Sequence, residues 1–182
     1  MHDVLTSRLI LRLMPVEFLE ACVAGDLASA EKVIGFGLSD EILASKHWMG
    51  IRINDIRKDP EYRPWSPRAI ALASSKVMVG HIGFHSRPNP EYLRPFIGDG
   101  IELGYLVFSA YRRQRYAQEA IRGLMGWAAR EHAVRTFSVS VAPANTPSLA
   151  LAGKLGFRKV GERMDEEGGL EYVHVLRPPA PQ

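Results

Sequence analysis

IELGYLVFSAYRRQRYAQEAIRGLMGWAAR, residues 101–130, is the stretch from which the fold is read. Ile101, Leu103, Tyr105 and Val107 alternate to one side and Glu102 falls on the other, the period of two that a β-strand requires. Beyond a turn over residues 109–115, Ala117, Ala120, Ile121, Leu124, Met125 and Ala128 recur at the spacing of an amphipathic helix. A tight turn that delivers a chain into a helix exposes backbone N–H groups at the positive end of the helix dipole, a ready site for phosphate. Arg112, Arg113 and Arg115 add cationic reach there, although arginines after a strand also suit a plain solvated turn.

Upstream, RLILRL alternates Leu9, Leu11 and Leu13 as an opening strand, and Pro15 suits the first turn of a helix carrying Phe18, Leu19, Cys22 and Val23 until Gly25 stops it. Residues 26–62 carry a broken helical pattern punctuated by Gly35 and Gly37, with Asp40 as a cap. Residues 68–72 and 77–84 are β-rich runs around Ser74 and Ser75, a hairpin. SRPNPEYLRPFIGDG, residues 86–100, has three prolines, two glycines and no period. Loops of that length inside compact domains tend to be functional or mobile, so it is the first candidate for a substrate-facing lid.

Downstream, TFSVSV reads as a strand whose Phe137, Val139 and Val141 alternate with hydroxyl residues. Asn145, Thr146 and Pro147 open a short helix that Gly156 ends. FRKVGERM and LEYVHVL close the chain as two strands joined by the turn DEEGG, before a disordered tail. Strands and helices in this order make a mixed α/β fold.

At 182 residues, 46% hydrophobic and 24% charged, the chain fits one folded domain and excludes the disordered and fibrous classes. No apolar run approaches the roughly 20 residues needed to span a bilayer, and the start MHDVLTSRLILRL lacks the basic-then-apolar order of a signal peptide. The cytoplasm is the expected compartment, with no membrane partner. A lone cysteine, Cys22, reads as a core position. The net charge of +3 is modest and the arginines are spread apart from the 112–115 cluster, so nucleic acid is not the expected partner and an anionic small ligand explains that cluster better.

The run ELGYLVFSAYRRQRYAQEAIRGLMGWA, followed by VAPANTPSLALAGKLGFRKVGE, closely resembles the acetyl-CoA-binding half of the GNAT acyltransferases, especially the branch that includes the ribosomal-protein N-terminal acetyltransferases. LTSRLILRLM and VGHIGFH extend the likeness; residues 26–66 and 86–100 match poorly. The resemblance implies a twisted mixed, mostly antiparallel sheet flanked by helices, with residues 1–177 as a single acetyltransferase domain and 178–182 as a tail. It implies acetyl-CoA as co-substrate, a primary amine as acceptor, direct attack on the thioester and no metal. A protein N-terminus, a free amino acid and an aminoglycoside-like amine all stay open as acceptors, and homodimerisation stays open too.

In this family the pyrophosphate loop is usually Gln or Arg, two free positions, Gly, one free position, then Gly or Ala. Here it reads Arg112, Arg113, Gln114, Arg115, Tyr116, Ala117, with arginine where glycine is usual. If that position needs a positive φ, a non-glycine residue costs about 1–2 kcal/mol, which folding tolerates. If backbone must approach phosphate closely there, Arg115 reshapes the pocket.

Likeness further implies that the backbone at Leu106 and Val107 pairs with the pantetheine arm, and that Asn145 binds the arm or a site water, alongside its plain reading as a helix cap. Glu102 stands where relatives carry a carboxylate near the acceptor amine and is the candidate base, directly or through water; its bland reading is a strand-edge glutamate paired with an arginine. Many relatives use a tyrosine of the short helix as the acid, but Ala152 holds that position. Ser148 matches a serine of the ribosomal-protein branch and could hydrogen-bond the leaving thiolate, against first-turn capping.

His81 and His85, four apart on one strand, lie about 13 Å apart by strand rise and cannot chelate one ion together. Trp48, Tyr62, Trp65 and Tyr92 are candidates for shaping the acceptor pocket or for core and rim. The rival from another class is a non-catalytic acyl-CoA-binding regulatory protein, to which Arg115 and the missing tyrosine lend weight.

Overall fold

The leucines two apart in RLILRL extend into strand β2 (Leu9–Leu13), antiparallel to a two-residue β1 (Val4–Leu5) and to β3 (Arg68–Leu72). These strands belong to the first of two compact units in the computed structural model, Met1–Gly83 with Tyr105–Leu124; the second is Phe84–Gly104 with Met125–Gln182. Residues 2–165 and 169–177 are described, so the expected tail over 178–182 and the middle of the DEEGG turn lie outside the described residues.

In the first unit, helix α1 (Val16–Ala24) starts after an extended Pro15 and ends at Gly25, whose φ of 83° a side chain would strain. Phe18, Leu19 and Cys22 form its buried face, and Cys22 is the core thiol expected, pushed up to about 11 by burial. The broken pattern of residues 26–62 resolves into α2 (Leu27–Ile34), a 3-10 turn (Asp40–Ser45), α3 (Lys46–Lys58) and a second 3-10 turn (Pro60–Trp65). Asp40 is not the cap: Asp26 caps α2 through the Ser29 N–H, and Ser39 caps the first 3-10 turn through the Glu41 N–H. The hairpin forms as expected, except that Val77 is drawn into a bridge with Gly37 and strand β4 begins one residue later (Met78–Phe84).

In both units β4 is flanked by β5 (Ile101–Val107). The Phe108 N–H donates to the Val79 carbonyl at 2.9 Å in the first, and the His85 N–H donates to the Glu102 carbonyl at 3.0 Å in the second. Within the first unit the backbone of β5 comes so near that a Cβ on Gly80 would stand 2.1 Å from the Leu106 carbonyl oxygen, which makes glycine obligatory.

The second unit orders its strands β5, β6 (Phe137–Val141), β8 (Gly169–Leu176) and β7 (Arg158–Asp165). The β5–β6 ladder is parallel, whereas β1–β2, β2–β3, β3–β4, β6–β8 and β7–β8 are antiparallel, so the class is α/β with a mixed, mostly antiparallel sheet. Helix α4 (Tyr116–His132) begins in the first unit and ends in the second, and it buries Ala120, Ile121, Leu124, Met125 and Ala128 as its spacing requires. Helix α5 (Thr146–Leu155) ends at Gly156, φ 92°.

Residues 86–100, the candidate substrate-facing lid, are anchored at the neck and at two apolar side chains. The neck is closed where the Asn89 N–H donates to the Gly100 carbonyl and the Gly100 N–H to Asn89 Oδ1, both at 2.7 Å. Leu93 and Ile97 are buried against Val175 of β8, with Phe96 beside them. The Phe96 ring occupies the space a Cβ on Gly161 of β7 would take, 2.6 Å away. Burying two such aliphatic side chains stabilises by about 1.5–3 kcal/mol each, which holds the segment down on the sheet.

Candidate active site

The turn between β5 and α4 lies wholly in the first unit. A 3-10 turn (Ser109–Tyr111) leaves β5, and the Ser109 N–H and hydroxyl both donate to the Glu41 carboxylate at 2.8–2.9 Å. Arg113 and Arg115 then take left-handed φ values of 60° and 65°. The positive φ raised by the missing glycine is therefore real, at about 1–2 kcal/mol. Arg112, Arg113, Gln114 and Arg115 are exposed, while Tyr116 and Ala117 are half-buried at the head of α4. Arg112 folds back to donate from Nε to the Val107 carbonyl at 3.0 Å. Leu106 and Val107, the predicted backbone partners of the pantetheine arm, are half-buried.

An anchor unforeseen in the sequence fixes this turn. Glu119 in the first turn of α4 accepts from the Thr6 hydroxyl (2.6 Å), the Ser7 hydroxyl (3.0 Å), the Arg8 N–H (2.8 Å) and Arg8 Nε (2.7 Å). Arg8 also donates to the Gln114 carbonyl at 3.1 Å and lies over the Tyr116 ring. Partial burial pushes the Glu119 carboxyl up, but these donors outweigh it and hold the group below its ordinary range. The local clue was a carboxylate in a helix first turn, which marks a helix start but not its distant partner.

At α5, Asn145 Oδ1 accepts from the Ser148 N–H at 3.2 Å, the capping geometry expected. Asn145 is exposed and Ser148 half-buried; Ala152, where many relatives carry a tyrosine, is buried.

Glu102 is the centre of the second unit's polar cluster. It is fully buried, and it pairs across to Ser138 in the last register pair of the parallel β5–β6 ladder, Ile101↔Phe137 and Glu102↔Ser138. One carboxylate oxygen accepts from the Ser140 hydroxyl of β6. The other accepts from the Tyr92 hydroxyl at 2.8 Å and lies 3.4 Å from His85 Nδ1 and 3.3 Å from Arg163 Nη1 of β7. Arg163 is shared with Glu171 at 2.9 Å and sits over the Tyr92 ring. Glu102 thus has the arginine partner of its bland reading, but in the interior of the sheet rather than at an edge.

Burial alone would raise the Glu102 carboxyl, yet His85, the Arg163 charge and the Ser140 hydroxyl together bring it down to about 2. The carboxylate is permanently ionised and, at that pKa, a weak proton acceptor. Burial and the Glu102 charge push the Tyr92 phenol well up, so it stays a neutral donor. The sequence placed Glu102, His85 and Tyr92 on its candidate list separately; Ser140 and Arg163 were missed. The alternation in TFSVSV, which sets Ser138 and Ser140 on one face of β6, was the signal for Ser140.

His81 differs from His85. It is buried, stacks on Trp48 with centroids 4.4 Å apart, lies 3.3 Å from the Ser45 hydroxyl, and is pushed down to about 4 by burial. Tyr62 and Trp65 are buried core aromatics. Among the described residues no group of three or more His, Cys, Asp or Glu side chains is placed to hold a metal ion, and no helix is long and apolar enough to cross a membrane.

No curated protein sequence matches the chain. Solved structures do share its fold. An acetyltransferase from Agrobacterium tumefaciens superposes with a TM-score of 0.66 at 20% identity, covering 98% of this chain and 95% of that one. The ribosomal-protein-S5-alanine acetyltransferase from Vibrio fischeri gives 0.64 at 13%, covering 96% of each. The microcin C7 self-immunity acetyltransferase MccE, solved in complex with acetyl-CoA and AMP, gives 0.61 at 12%, covering 95% and 94%. The family model for the acetyltransferase (GNAT) domain matches residues 8–158, which takes in the arginine turn, Glu102 and the start of α5, and by that match the chain belongs to the GNAT acetyltransferases.

Proposed function

We propose that this chain binds acetyl-CoA and transfers its acetyl group to a primary amine, on a protein N-terminus or a small molecule, by direct attack of the amine on the thioester. The observation that carries the reading is the turn between β5 and α4. Arg113 and Arg115 take left-handed φ values just before a 17-residue helix, whose first N–H groups lack intrahelical partners, and the side chains of Arg112, Arg113 and Arg115 are exposed beside it. The Arg115 side chain is exposed, so it is free to turn outward and lend charge to phosphate. MccE, of the same fold, holds acetyl-CoA.

Residues Arg112, Arg113, Gln114, Arg115, Tyr116 and Ala117 would hold the pyrophosphate, the backbone of Leu106 and Val107 the pantetheine arm, and Asn145 the arm or a site water. The Ser148 hydroxyl would stabilise the leaving thiolate. Glu102, ionised and locked among donors, would supply the negative charge at the acceptor end. The cytoplasm is the compartment in which this activity is proposed.

Thiol release from acetyl-CoA, followed with tetrapeptides bearing free α-amines and with a panel of small primary amines, tests this. Acetylated amine appearing in step with free thiol supports the reading. Binding of acetyl-CoA without turnover of any acceptor would instead favour a regulatory acyl-CoA-binding protein.

A further inference from the structure

We propose that Arg8 is a positioning residue for acetyl-CoA, holding the Gln114–Arg115 peptide in the orientation that presents the Arg115 N–H to the pyrophosphate; the proposal rests on the acetyl-transfer reading above. Arg8 Nη2 donates to the Gln114 carbonyl at 3.1 Å. Among the described residues no peptide bond is cis, and across a planar trans peptide the carbonyl and the N–H that follows it point in opposite directions. With the Gln114 oxygen drawn to Arg8, the Arg115 N–H faces the other way. The helical ladder starts at the bond from the Glu119 N–H to the Arg115 carbonyl, 3.1 Å, so the Arg115 N–H stands ahead of it, with the other N–H groups at the head of α4. Those are the groups that a pyrophosphate would meet.

This orientation needs a hold. Rotating the peptide by half a turn changes mainly ψ of Gln114 and φ of Arg115, the interchange that separates type I from type II turns. Arg115 is left-handed at φ 65°, and the rotation would carry it to the negative φ that a non-glycine residue prefers by about tenfold. Glycine there would be indifferent, whereas arginine favours the rotated peptide. Once rotated, the peptide would offer the pyrophosphate a carbonyl oxygen where it now offers an N–H, and the oxygen repels phosphate.

Arg8 is fixed before it reaches Gln114. Its Nε donates to Glu119 Oε2 at 2.7 Å, its N–H to Glu119 Oε1 at 2.8 Å, and its guanidinium lies 4.6 Å from the centre of the Tyr116 ring. The Thr6 hydroxyl shares Glu119 Oε1 at 2.6 Å and accepts from the Leu9 N–H at 3.0 Å, which ties the turn before β2 to α4. A Cβ on Gly123 would stand 2.6 Å from Thr6 Cγ2, so turn and helix approach as closely as glycine allows. The guanidinium therefore reaches Gln114 from a rigid base, and its bond to that carbonyl offsets the preference of Arg115 for the rotated peptide.

Calorimetry of the full chain with acetyl-CoA tests this and needs no acceptor. Arg8→Ala is expected to raise Kd about 10-fold, because about one molecule in ten then keeps the competent peptide. Added to Arg8→Ala, Arg115→Gly is expected to bring Kd back to within about threefold of wild type, because glycine removes the preference for the rotated peptide. A direct contact of Arg8 with phosphate, or general damage to the anchor, is not repaired by glycine. Circular dichroism checks the fold of each variant. Should Arg8→Ala not fold, Arg8→Lys takes its place with the same two expectations, since a point ammonium on Glu119 lacks the fork that also reaches the Gln114 carbonyl. Binding by Arg8→Ala within about twofold of wild type, or a loss that Arg115→Gly leaves standing, overturns the proposal while acetyl-CoA binding stands. A wild-type chain that binds no acetyl-CoA fails the underlying reading instead, and the proposal with it.

Discussion

Gly104→Ala separates the His85 arrangement from the stability of the fold. The added Cβ would stand 2.4 Å from His85 Nε2, with the ring Cδ2 and Cε1 at 3.3 Å and no backbone atom among the near contacts. Carbon and nitrogen at van der Waals contact need about 3.5 Å, so the ring must withdraw by about 1 Å. The His85 ring is the far end of a flexible, partly exposed side chain. Drawing the ring away from the buried Glu102 carboxylate loses one contact to a charged group, about 1.5–3 kcal/mol, and the loss of glycine's freedom in the unfolded chain returns about 0.4–1 kcal/mol. The net cost in stability is therefore about 1–2 kcal/mol. At a typical urea slope this moves the unfolding midpoint by about 1 M. A displacement of about 1 Å at a side chain that touches the Glu102 carboxylate, by contrast, costs up to about 100-fold in rate if Glu102 serves the acceptor end. Urea unfolding by circular dichroism and steady-state thiol release measure the two effects on the same sample. A variant as active as wild type would refute the placement of Nε2, and a loss of stability above about 3 kcal/mol would refute the claim that only the ring gives way.

Other positions make equally direct claims. Leu93→Ala removes a buried anchor of the 86–100 segment and should cost about 2–5 kcal/mol in thermal or urea unfolding; a cost below about 1 kcal/mol would mean the segment is not packed as described. At position 115 a φ of 65° suits glycine and punishes a β-branched side chain, so Arg115→Val should unfold at lower urea than Arg115→Gly, by about 1–2 kcal/mol. Arg115→Gly should also keep acetyl-CoA affinity within about threefold, which calorimetry reads. The Glu102 carboxyl is depressed from 4.5 to about 2. A depressed carboxyl stabilises fully above its unfolded value, and the contribution is lost as pH falls through the folded one. Wild type should therefore lose roughly 3 kcal/mol from this group between about pH 5 and pH 2, and the same acid titration should be flatter for Glu102→Gln.

Local pattern carried most of the elements and the chemistry of the turn. The period of two in IELGYLVF and RLILRL, the helical spacing from Ala117 to Ala128, and the glycine stops at Gly25 and Gly156 depend on neighbours within a few residues, and each forms where expected. The left-handed φ at Arg115 was legible as a conflict between the residue and its position in the loop. What failed to show were interactions over long sequence distance. Nothing near Glu119 names Thr6 or Arg8, more than 100 positions away, as the groups that pin α4. Composition was silent on how residues 86–100 are anchored. Prolines and glycines mark irregular backbone, but Leu93 and Ile97 are enough to seat that backbone on β8, and only a partner strand reveals them as core. The burial of Glu102 was invisible for the same reason: its partners Tyr92, Ser140 and Arg163 come from three separate parts of the chain.

The central claim, that the turn between β5 and α4 receives a CoA pyrophosphate, is tested most directly by isothermal titration of the chain with acetyl-CoA and with CoA at two ionic strengths. Sub-millimolar binding of both, weakening as salt rises because exposed Arg112, Arg113 and Arg115 neutralise phosphate, is the predicted result. No heat of binding from either compound in the wild type, with binding appearing in Arg115→Gly, would contradict it and show that arginine at the left-handed position closes the site.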